Sequence, residues 1–194
     1  MPKSASQNAL IKEKRKAQIM ETALKLFANY GVDNVTVDNI SQAMKISHGL
    51  FYHYFEDKED LVNALIAKAK DLFTASLNEA TKFEKTPYNL IKAITESILS
   101  NLNGTTGNAY YLFLVLSLNY QSKQIGKDFA TNLKEYLLNI FEEGRQAGVF
   151  KDMDANDLLS LYFALLEGVA YHKVKFKHDY ESPSLESIMN LFSK

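Results

Sequence analysis

Ser47-His48-Gly49-Leu50-Phe51-Tyr52-His53-Tyr54-Phe55-Glu56-Asp57-Lys58-Glu59-Asp60-Leu61 is the stretch that decides the fold. Ser47 has the chemistry of a helix N-cap, whose hydroxyl oxygen accepts an orphaned backbone N–H. Leu50, Phe51, Tyr54 and Phe55 then fall at i, i+1, i+4 and i+5 and anchor a short helix. Ser47, His48, Gly49, Tyr52 and His53 are left outside, a set that is small or aromatic-polar rather than charged. Asp57 begins a second, longer helix. Asp60 follows three residues on, as in a capping box, and the acids suit the positive helix end. Leu61, Leu65, Ile66, Ala69, Leu72, Phe73 and Leu77 form its apolar face. Lys58 is a lone cation in this acidic start; a phosphate, a neighbour one turn away, or water accounts for it.

Upstream, residues 1–9 read as a disordered tail. A helix then runs from near Leu10, with Ile19, Ala23, Leu26, Phe27 and Tyr30 on one face, and Gly31 stops it. Thr36 caps a helix of about two turns whose Val37, Ile40 and Met44 face inward. Lys45-Ile46 turns the chain into Ser47. Two short helices joined by a tight turn and packed on a longer first helix make a helix-turn-helix. His48 sits where the first residues of a recognition helix meet base edges. Gly49 permits close approach to a duplex, and Tyr52 and His53 can donate to phosphate oxygens.

The order and spacing of Tyr30-Gly31, Thr36, Ile40, Ile46-Ser47, Gly49, Tyr52, Phe55, Lys58 and Leu61 resemble the head of TetR-type transcriptional regulators over residues 11–62. The resemblance implies an all-α protein. It would have a three-helix DNA-binding head, a linking fourth helix, and a helical-bundle body that binds an effector and dimerises, about nine to ten helices in all. It also implies phosphate contacts at Thr36, Ser47, Tyr52, His53 and Lys58, and base-edge proximity for His48 and Gly49. Tyr54 is an extra contact in the family pattern, although the facing of the helix buries it. Met44-Lys45 stands where the family often has a small residue and glycine. Lys45 is therefore read as a further phosphate contact.

The bulk composition agrees with this division. The 194 residues are 46% hydrophobic and 23% charged, with three prolines, eight glycines and no cysteine. A chain without cysteine has no disulfides, thiolate metal sites or thiol nucleophiles. It fits a reducing cytoplasm, and the polar, basic Met1–Lys16 lacks the apolar segment of a secretory signal. The formal net charge is −1, yet residues 1–55 hold seven Lys or Arg against four Asp or Glu. The head is basic and the rest acidic, as suits a nucleic-acid-binding head.

The expected boundaries are a tail at 1–9, a head at 10–56 and a body at 57–194. In the body, Thr86-Pro87 starts a helix carrying Leu90, Ile91, Ile94, Ile98 and Leu102. No charged residue falls between Glu96 and Lys123, but the apolar run Tyr110–Leu118 is shorter than the ~20 residues of a membrane span. It reads as a buried helix. Its Tyr110, Tyr111, Phe113, Leu114 and Tyr120, with Phe163 and Glu167, either line an effector pocket or fill a core. Two long helices follow, one closed by Gly148 and the next capped by Asp154. Their Phe129, Leu133, Tyr136, Leu137, Ile140, Leu159, Tyr162, Leu166 and Ala170 serve either the core or a dimer interface. Ser182-Pro183-Ser184 turns the chain into a last short helix with Leu185, Ile188, Met189 and Phe192. His172 and His178 do not share a helix face, so no metal site is expected.

No Gly-rich phosphate loop, paired carboxylates or Ser/His/Asp arrangement stands out. The expectation is a non-enzyme without cofactor: a homodimeric repressor bound to a near-palindromic double-stranded operator and released by a small apolar or aromatic effector. A constitutive DNA-binding or scaffold protein, and an activator, stay open as alternatives.

Overall fold

The computed structural model describes residues 5–103, 125–176 and 179–194. Among these residues the chain forms eight α-helices and no strand. They are α1 (Ala5–Tyr30), α2 (Val37–Met44), α3 (His48–Tyr52), α4 (Lys58–Thr81), α5 (Pro87–Asn103), α6 (Ile125–Gln146), α7 (Ala155–Phe176) and α8 (Leu185–Phe192). Two compact units divide it, Met1–Leu65 and Ile66–Lys194. The break falls nine residues beyond the expected end of the head at Glu56 because the opening of α4 belongs to the head. Lys58 there donates to carbonyls upstream of α2.

In the head, α1 begins at Ala5, within the stretch expected to be a tail. Residues 5–9 carry no apolar periodicity, but they also carry no breaker, and intrinsic propensity continues the helix. Leu10 is 74% exposed, and the first fully buried side chain is Ile19. Ile19, Ala23, Leu24 and Phe27 fill the core, whereas Tyr30, expected among them, is 65% exposed. Gly31 ends α1 at φ +83°, its N–H on the Phe27 carbonyl at 2.8 Å.

A reciprocal capping box starts α2. The Asn39 N–H donates to Thr36 Oγ1 at 3.2 Å, and the Thr36 N–H and hydroxyl both donate to Asn39 Oδ1 at 2.9 Å. The helix ends in a Schellman motif. Lys45 N–H donates to Gln42 O and Ile46 N–H to Ser41 O, both at 3.0 Å. Lys45 sits at φ 54°, ψ 46°, the left-handed conformation that glycine adopts most readily. The turn is thus as tight as a glycine turn, at a backbone cost of about 1–2 kcal/mol. Asp57 Oδ1 caps α4 by accepting the Asp60 N–H at 2.7 Å, and Asp60 reaches back to the Glu56 N–H at 3.1 Å.

In the body, Thr86 caps α5 through the Asn89 N–H at 3.3 Å, with Pro87 at the first helical position. Ile91, Ile94 and Leu102 of α5 pack the core with Leu137, Ile140 and Phe141 of α6, Leu158, Leu159 and Tyr162 of α7, and Phe192 of α8. Phe141 is the hub of an aromatic cluster, 5.2 Å from Phe150, 5.5 Å from Tyr162 and 6.1 Å from Phe192 between ring centroids. Such contacts add about 0.5–1.5 kcal/mol each beyond burial. Gly144 makes room for the Phe150 ring: a Cβ there would lie 2.2 Å from Phe150 Cδ2. The last residues are tied back. Lys151 N–H donates to Phe192 O at 2.8 Å, Lys194 N–H to Val149 O at 3.3 Å, and an isolated bridge pairs Phe150 with Ser193.

This packing bears on the residues read as serving either the core or a dimer interface. Leu133, Leu137, Ile140, Leu159, Tyr162, Leu166 and Ala170 are at most 7% exposed within the single chain. Side chains enclosed by their own fold have no surface left for a partner. Tyr162 is wholly buried, its hydroxyl 2.8 Å from Thr95 Oγ1. Thr95 spends its own proton on the Ile91 carbonyl at 2.7 Å, so Tyr162 is the donor. Burial pushes the phenol well above its ordinary range. Of the same set, Tyr136 is 39% exposed; the Phe129 side chain lies outside the described residues.

Candidate nucleic-acid interface

α3 is only five residues long, shorter than the aromatic stretch suggests. Ser47 starts it by accepting the Leu50 N–H at 3.3 Å, and His53 is its C-cap. Phe51 and Phe55, 0% and 2% exposed, anchor it, while Leu50 and Tyr54 are half-buried. Lys16 of α1 lies 5.3 Å from the Phe55 ring centroid, a cation–π contact binding α1 to this anchor.

The outward surface holds most of the expected readers. Thr36, Lys45, Ser47, His48, Gly49, Tyr52 and His53 are exposed, and Tyr54 and Lys58 are half-buried. A Cβ added to Gly49 would meet nothing within 4 Å. No internal packing requires glycine there, so the open space is available to an incoming molecule. Tyr52 sets its ring edge-on to Phe51 at 5.5 Å and to His48 at 6.0 Å.

Three of these residues have internal partners that the sequence did not reveal. Thr36 uses its hydroxyl proton on Asn39. Lys58 donates to the carbonyls of Val32 and Val35, both at 3.0 Å. Those two bonds join α4 to the segment between α1 and α2 and account for the cation at an acidic helix start. They leave one ammonium proton for an outside acceptor. His48 Nε2 pairs with Asp38 Oδ1 of α2, a residue that no local signal singled out. Asp38 lies ten positions before His48, and only the fold brings them together.

In the body, Phe163 and Glu167 are half-buried on α7. The other expected pocket residues, Tyr110, Tyr111, Phe113, Leu114 and Tyr120, lie outside the described residues.

A capped two-turn helix, a tight turn and a short aromatic-anchored helix define a helix-turn-helix protein. The family model for bacterial regulatory proteins of the tetR family matches residues 19–65. The match covers the head: residues 19–65 are similar to the DNA-binding part of that family. Over 73 residues it is 47% identical to the uncharacterized HTH-type transcriptional regulator YuxN of Bacillus subtilis (strain 168), covering 37% of this chain and 25% of that protein. The chain matches about a quarter to a half of the length of such curated relatives. Solved structures extend the likeness to the body. The ketosteroid transcriptional regulator KstR2 of Mycobacterium tuberculosis superposes with a TM-score of 0.68 at 17% identity, over 93% of this chain and 95% of that one. AibR, solved with isovaleryl coenzyme A and operator DNA, gives 0.66 at 19% identity, over 91% and 94%. At such identities these likenesses show the fold.

Among the described residues, no helix is long and apolar enough to cross a membrane.

Proposed function

We propose that this chain is a DNA-binding transcriptional regulator, a homodimeric repressor released from its operator by a small effector. The observation that carries this reading is α3. It sets exposed His48, Gly49, Tyr52 and His53 on a buried Phe51–Phe55 anchor, inside a head matched to the tetR family. His48 and Gly49 meet base edges, while Lys45, Ser47, Tyr52, His53 and the spare proton of Lys58 meet phosphates. Two heads would read successive major grooves roughly 34–36 Å apart on a near-palindromic site.

The interface this reading requires lies on the outward side of α7. Leu161 is 52% and Tyr171 44% exposed there, with Ala164, Leu165 and Gly168 between them at helical spacing. An apolar face of this kind marks an interaction site. The effector would act by binding one head spacing better than the other. An apolar or acyl-bearing molecule is supported by AibR, solved in complex with isovaleryl coenzyme A, and by KstR2, a ketosteroid transcriptional regulator.

Selection of tight binders from a randomised duplex library tests the reading, with an inverted repeat as the expected product. Gly49→Ala supplies the control. Its added Cβ meets no protein atom, so the head should hold or gain about 0.5–1 kcal/mol of stability. Duplex affinity should nevertheless drop roughly tenfold, the loss expected of one close contact. If Gly49→Ala binds as well as the wild type, α3 is not the close-approach surface.

A further inference from the structure

The pair between His48 and Asp38 is exposed, with side chains 47% and 69% accessible, so its contribution to stability is small. Its consequence is chemical. A free imidazole turns about its side-chain bonds and can present either ring nitrogen. Here Nε2 is committed to the Asp38 carboxylate, which only accepts, so Nε2 carries its proton. Tyr52 holds the ring from another side, its centroid 6.0 Å away at 70°. Nδ1 is the nitrogen left for a partner outside the protein.

We infer that Asp38 is a positioning residue for base recognition: by holding Nε2–H of His48 it makes Nδ1 the atom that reads the base edge. This rests on the DNA-binding reading of α3. In the neutral ring Nδ1 is an acceptor and suits the exocyclic amine of adenine or cytosine. In the protonated ring it is a donor and suits guanine O6 or N7. In either state the base read is one that suits Nδ1, and Asp38 holds the ring so that Nε2 does not compete. At a dry duplex contact that constraint acts on specificity, although the same pair adds little to folding in water.

The test compares the full-length wild type with D38A and D38N. The amide oxygen of D38N still accepts from Nε2–H, but the negative charge is gone, so the pair of variants separates hydrogen bonding from charge. Proton NMR of the histidine ring reads the pair directly, without DNA. A protected Nε2–H resonance of His48 is expected in wild type and D38N and absent in D38A. Selection on the randomised duplex library reads the consequence. D38A should lose roughly fivefold or more of its preference at one base pair per half-site, with the others unchanged, and D38N should keep it. The inference is overturned if D38A retains the Nε2–H resonance, or if its base profile matches the wild type. It is equally overturned if D38N loses the preference along with D38A. A wild-type protein that selects no sequence defeats the DNA-binding reading, and the base-reading step with it. The Nε2–H resonance distinguishes that result from failure of the pair itself.

Discussion

Replacing Lys45 with glycine should stabilise the head and weaken its binding to DNA. Lys45 stands at φ 54°, ψ 46° in the turn of the helix-turn-helix. A residue with a Cβ meets steric opposition there worth about 1–2 kcal/mol, which glycine avoids. Glycine also gives the unfolded chain more freedom, at a cost of roughly 0.5–1 kcal/mol. The Schellman bonds use only the backbone N–H groups of residues 45 and 46, so both survive the change. The balance is a gain of about 0.5–1 kcal/mol. Because the chain has two compact units, a whole-chain melt would mix their transitions. Native-state hydrogen exchange is the appropriate assay. The amides of Ile40 and Phe51, bonded to Thr36 O and Ser47 O, report on the head alone. Their exchange should slow roughly two- to fivefold, the factor equivalent to that free energy. The same variant removes one cation from the proposed DNA face, so the salt slope of duplex binding should fall by about one. Unchanged or faster exchange at Ile40 and Phe51 would refute the strain argument, whatever happened to DNA binding.

Three further outcomes follow from the body. Thr95→Val strands the buried Tyr162 hydroxyl and should cost about 1–3 kcal/mol. Tyr162→Phe leaves Thr95 bonded to Ile91 O and should cost about 0.5–1.5 kcal/mol, an order that denaturant titration of both variants checks. Gly144→Ala drives a methyl into the Phe150 ring and should destabilise the body by about 1–3 kcal/mol in the same assay. Glu142 accepts two hydrogen bonds from Arg145 and one from Gln146, which hold its carboxyl down at about 2 against an ordinary 4.5. Its folded value is depressed, so its contribution is present above pH 4.5 and is lost as pH falls through about 2. Glu142→Gln should flatten the stability profile in that window, and carboxyl NMR of Glu142 should give a midpoint near 2.

The parts of the head written in local chemistry were legible from sequence. Thr36, Ser47 and Asp57 each cap a helix through an atom three residues on, and periodicity picked out Phe51 and Phe55 as anchors. The start of α1 was missed because Ala5 to Ala9 carry no apolar stripe, and propensity alone leaves little pattern. Lys58 looked unpartnered because its two acceptors lie 26 and 23 positions upstream. Asp38 was missed for the same reason: its partner lies across the turn. The stripes of α6 and α7 were visible, but an apolar stripe does not say whose apolar surface covers it. Burial in the chain's own core accounts for Tyr162 and Leu166, and leaves Leu161 and Tyr171 exposed on the outward side.

The tie between Phe192 and the segment after α6 bears on the order in which the protein matures during synthesis. The ring of Phe192 and its carbonyl complete a core whose other members, Phe141 and Tyr162, are made much earlier. The ribosome therefore delivers every residue of the head unit long before the body can close. A nascent chain interrupted after Thr81 but before Phe192 would carry all of the head with its body's aromatic cluster still open. Such a fragment would expose apolar side chains that the complete fold buries, the kind of surface that aggregates or engages chaperones.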